Sequence, residues 1–294
     1  MATLRATLTE LSARLTKAGI DSPRLSAEVL VAFALGLERP ALMKELIMNP
    51  ESAIPWSCLA RIEDSARRRE NGEPVAYITG VKEFYGRDFT VSPATLIPRP
   101  ETETLVDAAL AFAQKYTPPS GNPAFADLGT GSGAIAVTVA LELPSWSGTA
   151  VDISPDALRV AARNARALRA ENLAFVLCDF LGPELPRGPY DMVLANPPYV
   201  SEEEYGTLSP EVARFEPKSA LVPPFTGSGG LEHLFGILDA AERLLTAGGL
   251  LLLEMGRAQG DALMAKAGGA PFLRDCRILN DLAGSPRVFH AIRA

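Results

Sequence analysis

Histidine and cysteine are scarce in this chain. It has two histidines, His233 and His290, too few for a histidine-rich metal site. Its three cysteines, Cys58, Cys178 and Cys276, are far apart and odd in number, so neither a disulfide framework nor a zinc knuckle is available. Long apolar runs are missing as well. The leucine run that closes residues 248–253 falls far short of the ~20 residues a membrane helix needs. Positive charge is in deficit: 28 Lys and Arg against 35 Asp and Glu leave a net charge of −7. That balance argues against a broad basic surface for gripping nucleic acid, although a local patch survives it. Internal repeats and low-complexity segments are absent. What is present is an ordinary globular composition, 47% hydrophobic and 21% charged, over 294 residues, a length of about two domains. The expectation is a soluble, cytoplasmic, monomeric protein with neither a membrane nor a nucleic-acid partner.

Residues 1–75 read as all helix. Met1 to Lys17 is faintly like a transit peptide, but Glu10 interrupts it and Leu4, Leu8, Leu11 and Leu15 share one helical face. It is read as the first helix. Ser22-Pro23 reads as an N-cap and first helical position, and Leu25, Val29, Phe33 and Leu37 as the apolar stripe that follows. A further helix over about 55–69 ends at Asn71-Gly72. Arg67-Arg68-Arg69 in its last turn complements the helix C-terminus; a docking patch for an acidic or RNA-bearing partner is the sharper alternative. Residues 84–91 suggest a hairpin within a linker, 76–100. From residue 101 to 294 strands and helices alternate, which implies a parallel sheet with helices on both faces. Leu250 to Leu253 is apolar throughout, as a strand buried on both faces should be.

Four motifs lie at predicted strand ends, where open α/β sheets bind ligands. Gly129-Thr130-Gly131-Ser132-Gly133 opens a helix with a tight turn over which a ligand can lie against bare N–H groups. Its spacing is not that of pyrophosphate-binding sites. Asp152, about twenty residues on, stands where a ribose hydroxyl pair is held. Helix capping is the plainer role, but Ser154 already fills it. Asp179 and Phe180 offer a carboxylate and an aromatic face suited to adenine. In Asn196-Pro197-Pro198-Tyr199 two prolines remove N–H donors. What remains is the Asn196 side-chain oxygen and the turn's carbonyls, acceptors matched to a planar –NH2 group, with the flat ring of Tyr199. The other candidates read as structure. His290 lies in a terminal strand without a carboxylate or cysteine companion, His233 in an amphipathic helix, and Ser201 to Glu204 as a capping box.

These motifs together resemble the S-adenosylmethionine-dependent class I methyltransferases that act on amino groups. Three more segments narrow the resemblance: residues 72–80 (Gly-Glu-Pro-Val-Ala-Tyr-Ile-Thr-Gly), residues 96–103 (Leu-Ile-Pro-Arg-Pro-Glu-Thr-Glu) and Arg214-Phe215-Glu216-Pro217. With them, nearly the whole chain is similar to the peptide-chain release-factor glutamine methyltransferases. The resemblance implies a doubly wound, mostly parallel seven-stranded sheet over 101–294. A short hairpin would join it to a small helical substrate-docking domain, 1–75. It implies S-adenosylmethionine as cofactor and release factors as partners, methylated on the glutamine amide of a Gly-Gly-Gln loop.

Residue by residue, Gly129 to Gly133 would lie against the methionine part of the cofactor, Asp152 would hold the ribose, and Asp179 and Phe180 the adenine. Asn196, Pro197, Pro198 and Tyr199 would clamp the amide, with Asn196 and Pro197 catalytic and Asn196 also beside the cofactor. Phe180 departs from the pattern, since some relatives carry tryptophan there. The chemistry needs no metal: a methyl sulfonium is already a strong electrophile, and the amide has to be aligned and polarised. A nucleic-acid amino methyltransferase, which makes the same demand for holding –NH2, is the alternative. The acidic balance and the lack of a target-recognition domain stand against it.

Overall fold

The structure is a computed structural model that describes residues 2–118, 121–182, 188–224 and 227–294. It divides into two compact units, Met1–Val81 with Ser209–Phe215, and Lys82–Leu208 with Glu216–Ala294. No helix among the described residues is long and apolar enough to cross a membrane.

The first unit is helical: α1 (Leu4–Lys17), α2 (Pro23–Leu35), α3 (Arg39–Met48), α4 (Trp56–Glu70), α5 (Val75–Thr79) and, from the later segment, a short helix, Pro210–Phe215. Thr3 caps α1, and Leu4, Leu8, Leu11 and Leu15 are all buried, as their spacing predicts. The stripe expected on α2 is not the buried one. Leu25, Phe33 and Leu37 are 47%, 37% and 40% exposed, while Ala27, Leu30, Val31 and Ala34 are buried. The helix is apolar on two faces, and the face rich in alanine is the one that lets neighbouring backbones approach closely. Ser22 also differs from expectation: it sits in the left-handed region at φ 51° and its side chain makes no cap, although Pro23 does open the helix.

The arginine run is largely engaged within this unit. Arg68 grips Glu73 through two hydrogen bonds of 2.8 and 2.6 Å. Buried Arg69 reaches Glu211 of the Pro210–Phe215 helix at 2.8 Å, and Arg67 pairs with Asp64. Little of its charge is left for a docking patch.

The second unit begins with a two-stranded hairpin, β1 (Val81–Phe84) and β2 (Arg87–Thr90). Phe84 and Phe89 are buried with Leu105, Phe125 and Val137, so the hairpin shares this unit's core. The main sheet has seven strands: β3 (Ala124–Leu128), β4 (Ser147–Asp152), β5 (Leu173–Leu177), β6 (Tyr190–Ala195), β7 (Leu245–Glu254), β8 (Leu273–Asn280) and β9 (Pro286–Arg293). Their order is β5-β4-β3-β6-β7-β9-β8. The first five are mutually parallel, and β9 runs antiparallel to both neighbours. The apolar run of β7 is buried on both faces: Leu251 and Leu253 pack with Leu234 and Leu263 on one side, Leu250 and Leu252 with Leu105 and Val137 on the other.

Candidate functional site

Register brings the four sequence motifs to one edge. Leu128 pairs with Val151 and with Ala195, and Asp152 with Leu177. The residues that follow, Gly129, Cys178 to Phe180 and Asn196, therefore leave the sheet side by side with Asp152.

The glycine turn differs from the bare N–H cradle its sequence suggests. The N–H groups of Gly129 and Thr130 both donate to the Val151 carbonyl, and that of Gly133 to Thr130. The Gly131 N–H donates to the Asp152 carboxylate at 2.8 Å. The turn closes on the end of β4, so these donors are satisfied before a ligand arrives. What the turn does offer is space. All three glycines have positive φ, and a Cβ on Gly131 would meet nothing within 4 Å. From behind, the Asn164 amide braces the turn by donating to the Ser132 carbonyl at 2.8 Å. Beneath it lies Asp127, fully buried. One carboxylate oxygen accepts from the Thr130 hydroxyl at 2.6 Å and the Ala136 N–H at 3.1 Å. The other has no partner. Burial pushes the Asp127 carboxyl up to about 7. Engaged amides above an unpartnered carboxylate suit a cationic ligand and not a phosphate. The ammonium and sulfonium of S-adenosylmethionine fit that donor set.

Asp152 accepts from Gly131 through one oxygen and from the Ser154 N–H at 2.9 Å through the other. Each oxygen keeps a lone pair for a hydroxyl. Burial raises its pKa. Ser154 caps the next helix, Pro155–Leu168, by accepting from the Ala157 N–H. Asp179 is exposed and holds its own loop by accepting from the Leu181 N–H. Phe180 is only 7% exposed. Its ring meets the His233 ring edge-on at 5.0 Å. A Cβ on Gly129 would sit 3.5 Å from it. It leaves less free face for a base than its sequence position suggests.

The Asn-Pro-Pro-Tyr turn is held from several sides. Asn196 Nδ2 donates to the Thr102 hydroxyl at 3.3 Å. The Tyr199 hydroxyl donates to Glu254 at 3.3 Å, and the Tyr199 carbonyl accepts from Gln259 Nε2 at 2.9 Å. Gly230, at φ +85°, lies so close that a Cβ would stand 2.2 Å from the Tyr199 oxygen. Gly230→Ala is expected to destabilise the protein by about 1–3 kcal/mol, the range for local backbone strain. It should lower turnover more than cofactor affinity, because the atoms displaced belong to the turn. A thermal melt beside a cofactor titration checks this; native turnover would show that the turn has room to shift.

Sequence reasoning left four neighbours of the site unassigned: Asp127, Thr102, His233 and Glu254. Glu254 is buried at the end of β7, beside Asn196, since Ala195 pairs with Leu253. Burial pushes its carboxyl up to about 6. A carboxylate closing an all-apolar strand was the available signal. His233 reads as an ordinary helical residue, yet its ring lies against Phe180. Burial lowers its pKa, which favours the neutral ring. Arg99 and Glu216, from two of the segments that carry the resemblance, form an ion pair, and Glu216 also accepts from the Ile97 N–H at 3.0 Å. The capping box at Ser201 is present, and His290 faces no side-chain carboxylate among its hydrogen-bond partners.

Comparison with known proteins adds to this geometry. Residues 6–80 match the family described as PrmC N-terminal domain, and residues 105–212 the Methyltransferase small domain. The chain is 44% identical over 294 residues to the release factor glutamine methyltransferase of Nitratidesulfovibrio vulgaris, covering 99% of this chain and 96% of the relative. It is 42% identical to that of Moorella thermoacetica, covering 99% of each. It is 41% identical to that of Salmonella typhimurium, covering 91% of each. Among solved structures, the hMettl16 catalytic domain in complex with MAT2A 3'UTR hairpin 6 is similar in fold. Its TM-score is 0.53 at 16% identity, over 75% of this chain and 80% of that one. With the strand order above, the second unit has the class I methyltransferase fold.

Proposed function

The chain belongs to the release factor glutamine methyltransferase family, and on that premise we propose that it transfers a methyl group from S-adenosylmethionine to the glutamine amide nitrogen of a Gly-Gly-Gln loop in a release factor. One observation carries the reading to this chain's own residues. The Asn196 amide has its Nδ2 end engaged by Thr102, so its oxygen is the end left for a substrate N–H.

When bound, the cofactor supplies an electrophilic methyl group. Gly129 to Gly133 give it room, Asp127 faces its positive charge, and Asp152 takes the ribose hydroxyls. Asp179 and Phe180 border the adenine. The amide nitrogen is a poor nucleophile because its lone pair is delocalised into the carbonyl. Asn196 Oδ1 and a carbonyl of the turn accept its two N–H bonds, hold the lone pair toward the methyl carbon and stabilise the charge that builds on nitrogen. Pro197 and Pro198 bring no competing donors, and the Tyr199 ring flanks the amide. A proton then leaves nitrogen after transfer, so no general base is needed beforehand.

The helical unit gives the enzyme contacts with a folded protein loop, and such remote binding energy helps to orient a poor nucleophile. The enzyme works as a cytoplasmic monomer, and without nucleic acid, the last of these being supported by the net charge of −7. The test is incubation with labelled cofactor and either intact release factor or free glutamine, with mass mapping of the product. Label on the Gly-Gly-Gln glutamine, and far slower reaction of free glutamine, is expected. Equal rates would remove the docking role, and label on RNA would replace the substrate.

A further inference from the structure

Asn164 lies on the Pro155–Leu168 helix and is 1% exposed. Its side-chain amide makes three hydrogen bonds, all to backbone groups of other segments. Oδ1 accepts from the Thr90 N–H at 2.8 Å, and Nδ2 donates to the Thr90 carbonyl at 2.9 Å. The second Nδ2 hydrogen goes to the Ser132 carbonyl at 2.8 Å. For Thr90, the last residue of β2, the amide takes the place of a neighbouring strand, with one acceptor and one donor. A flipped amide would set its oxygen against two carbonyls and its –NH2 against an N–H, so its orientation is fixed. The other buried apolar positions of this helix are alanines, Ala157, Ala161 and Ala165. Packing alone asks for another small apolar residue at 164, and burying an amide there is costly unless its bonds are made. Ala161, one turn earlier, leaves no room for a side chain on Gly133, whose Cβ would stand 3.1 Å away. The helix thus backs the glycine turn twice, by contact at Gly133 and by a hydrogen bond at Ser132. Val151, Asp152 and Asp127 tie the turn to β3 and β4. Asn164 ties it to the hairpin.

We propose that Asn164 is a positioning residue for cofactor binding: it carries the seating of Thr90, at the end of the hairpin, into the glycine turn, so that this pairing and S-adenosylmethionine affinity support each other. The inference rests on the cofactor reading of the turn, and not on the identity of the methyl acceptor. The amide group is planar and its two Nδ2 hydrogens have fixed directions. Once Thr90 holds one face of the amide, the second N–H is aimed at Ser132. Without Thr90 the side chain turns about its own torsions, and the Ser132 carbonyl loses a fixed partner. That carbonyl lies between Gly131 and Gly133, both at positive φ and without side chains to restrain them. Its direction sets the course of the backbone beside which the cofactor lies. Such coupling is reciprocal: bound cofactor tightens the pairing at Thr90 by the factor that the pairing adds to cofactor affinity.

Thr90→Pro tests this from a distance. It removes the N–H that holds Asn164 Oδ1, leaves Asn164 and every residue of the turn in place, and stands at a strand edge, where proline is admitted. Calorimetric titration with S-adenosylmethionine should show affinity lowered by about 5–50-fold, and by at least as much in Asn164→Ala. In methylation of release factor the loss should appear as a raised KM for the cofactor, with kcat within about threefold of the wild type. Tyr85→Phe is the control. It deletes a hairpin bond to Asp107 without touching Thr90, and affinity should stay within about twofold. Hydrogen exchange reads the coupling without ligand: the Gly131 and Gly133 amides, which donate within the folded turn, should exchange faster in Thr90→Pro than in the wild type. Wild-type affinity in folded Thr90→Pro, or an equal loss in Tyr85→Phe, would overturn the proposal. Should Thr90→Pro not fold, the wild type decides: S-adenosylmethionine must slow exchange at the Thr90 amide, and unchanged exchange there sinks the coupling. A wild type that does not bind S-adenosylmethionine would overturn the cofactor reading instead, and exchange at Gly131 and Gly133 then decides for or against the coupling. Failure to label the glutamine would overturn the substrate reading and leave the titrations and the exchange to decide as before.

Discussion

Asn196→Ala should lose at least about a hundredfold in turnover while keeping its fold, because removing one preorganised acceptor typically costs ~10²–10³ in rate. The residue sits where β6 ends and the proline-locked turn begins, and its Nδ2 is already held by Thr102. Its oxygen is thus aimed before the substrate arrives. Charge builds on the amide nitrogen as the methyl moves, so the bond to that oxygen strengthens in the transition state more than in the ground state. Asn196 is not fully buried, and its deletion removes no core contact of β6. Cofactor affinity should change far less than the rate. Single-turnover transfer at saturating cofactor, beside a thermal melt, measures both. A folded variant with near-native turnover would refute the clamp and the mechanism built on it.

Asp152→Ala should weaken S-adenosylmethionine binding by about 1.5–3 kcal/mol, the range for a lost charge-assisted hydrogen bond. The same substitution leaves the Gly131 and Ser154 N–H groups without their acceptor, so the melting temperature should fall as well. The two effects separate in the measurement. Calorimetric titration of the folded variant reads the cofactor, and a melt without cofactor reads the turn. Lower stability with unchanged affinity would leave Asp152 as a brace for the glycine turn and remove it from the ribose.

Local patterns carried much of this architecture. Leu4, Leu8, Leu11 and Leu15 lie on one face and are buried together, and Leu250 to Leu253 is buried on both faces of its strand. Periodicity decides such elements because each answers to its own sequence. On α2 periodicity was ambiguous: two apolar faces competed, and packing selected the one with small residues. The glycine turn was recognisable, but not the engagement of its N–H groups, which depends on β4 ending beside β3. Glu254 was invisible for the same kind of reason. Its sequence neighbours are leucines, and its relation to Asn196 exists only once β6 and β7 are paired in register. His233 shows the converse: the helix was readable, but not that one of its side chains reaches Phe180.

The assignment of Ser209–Phe215 to the helical unit has a consequence for how the chain can be cut. The polypeptide leaves the helical unit after Val81, returns for that one short segment, and leaves again. No single peptide bond therefore separates the two units. A fragment ending at residue 81 would lack the Pro210–Phe215 helix and with it Glu211, stranding the Arg69 guanidinium in a buried position without its carboxylate. A protein truncated before residue 82 would keep a helix whose packing partners are gone. The helical unit is thus no detachable prefix that terminal fusion or deletion could add or remove intact. Its sequence and that of the methyltransferase unit have to be inherited, and engineered, as one interleaved chain.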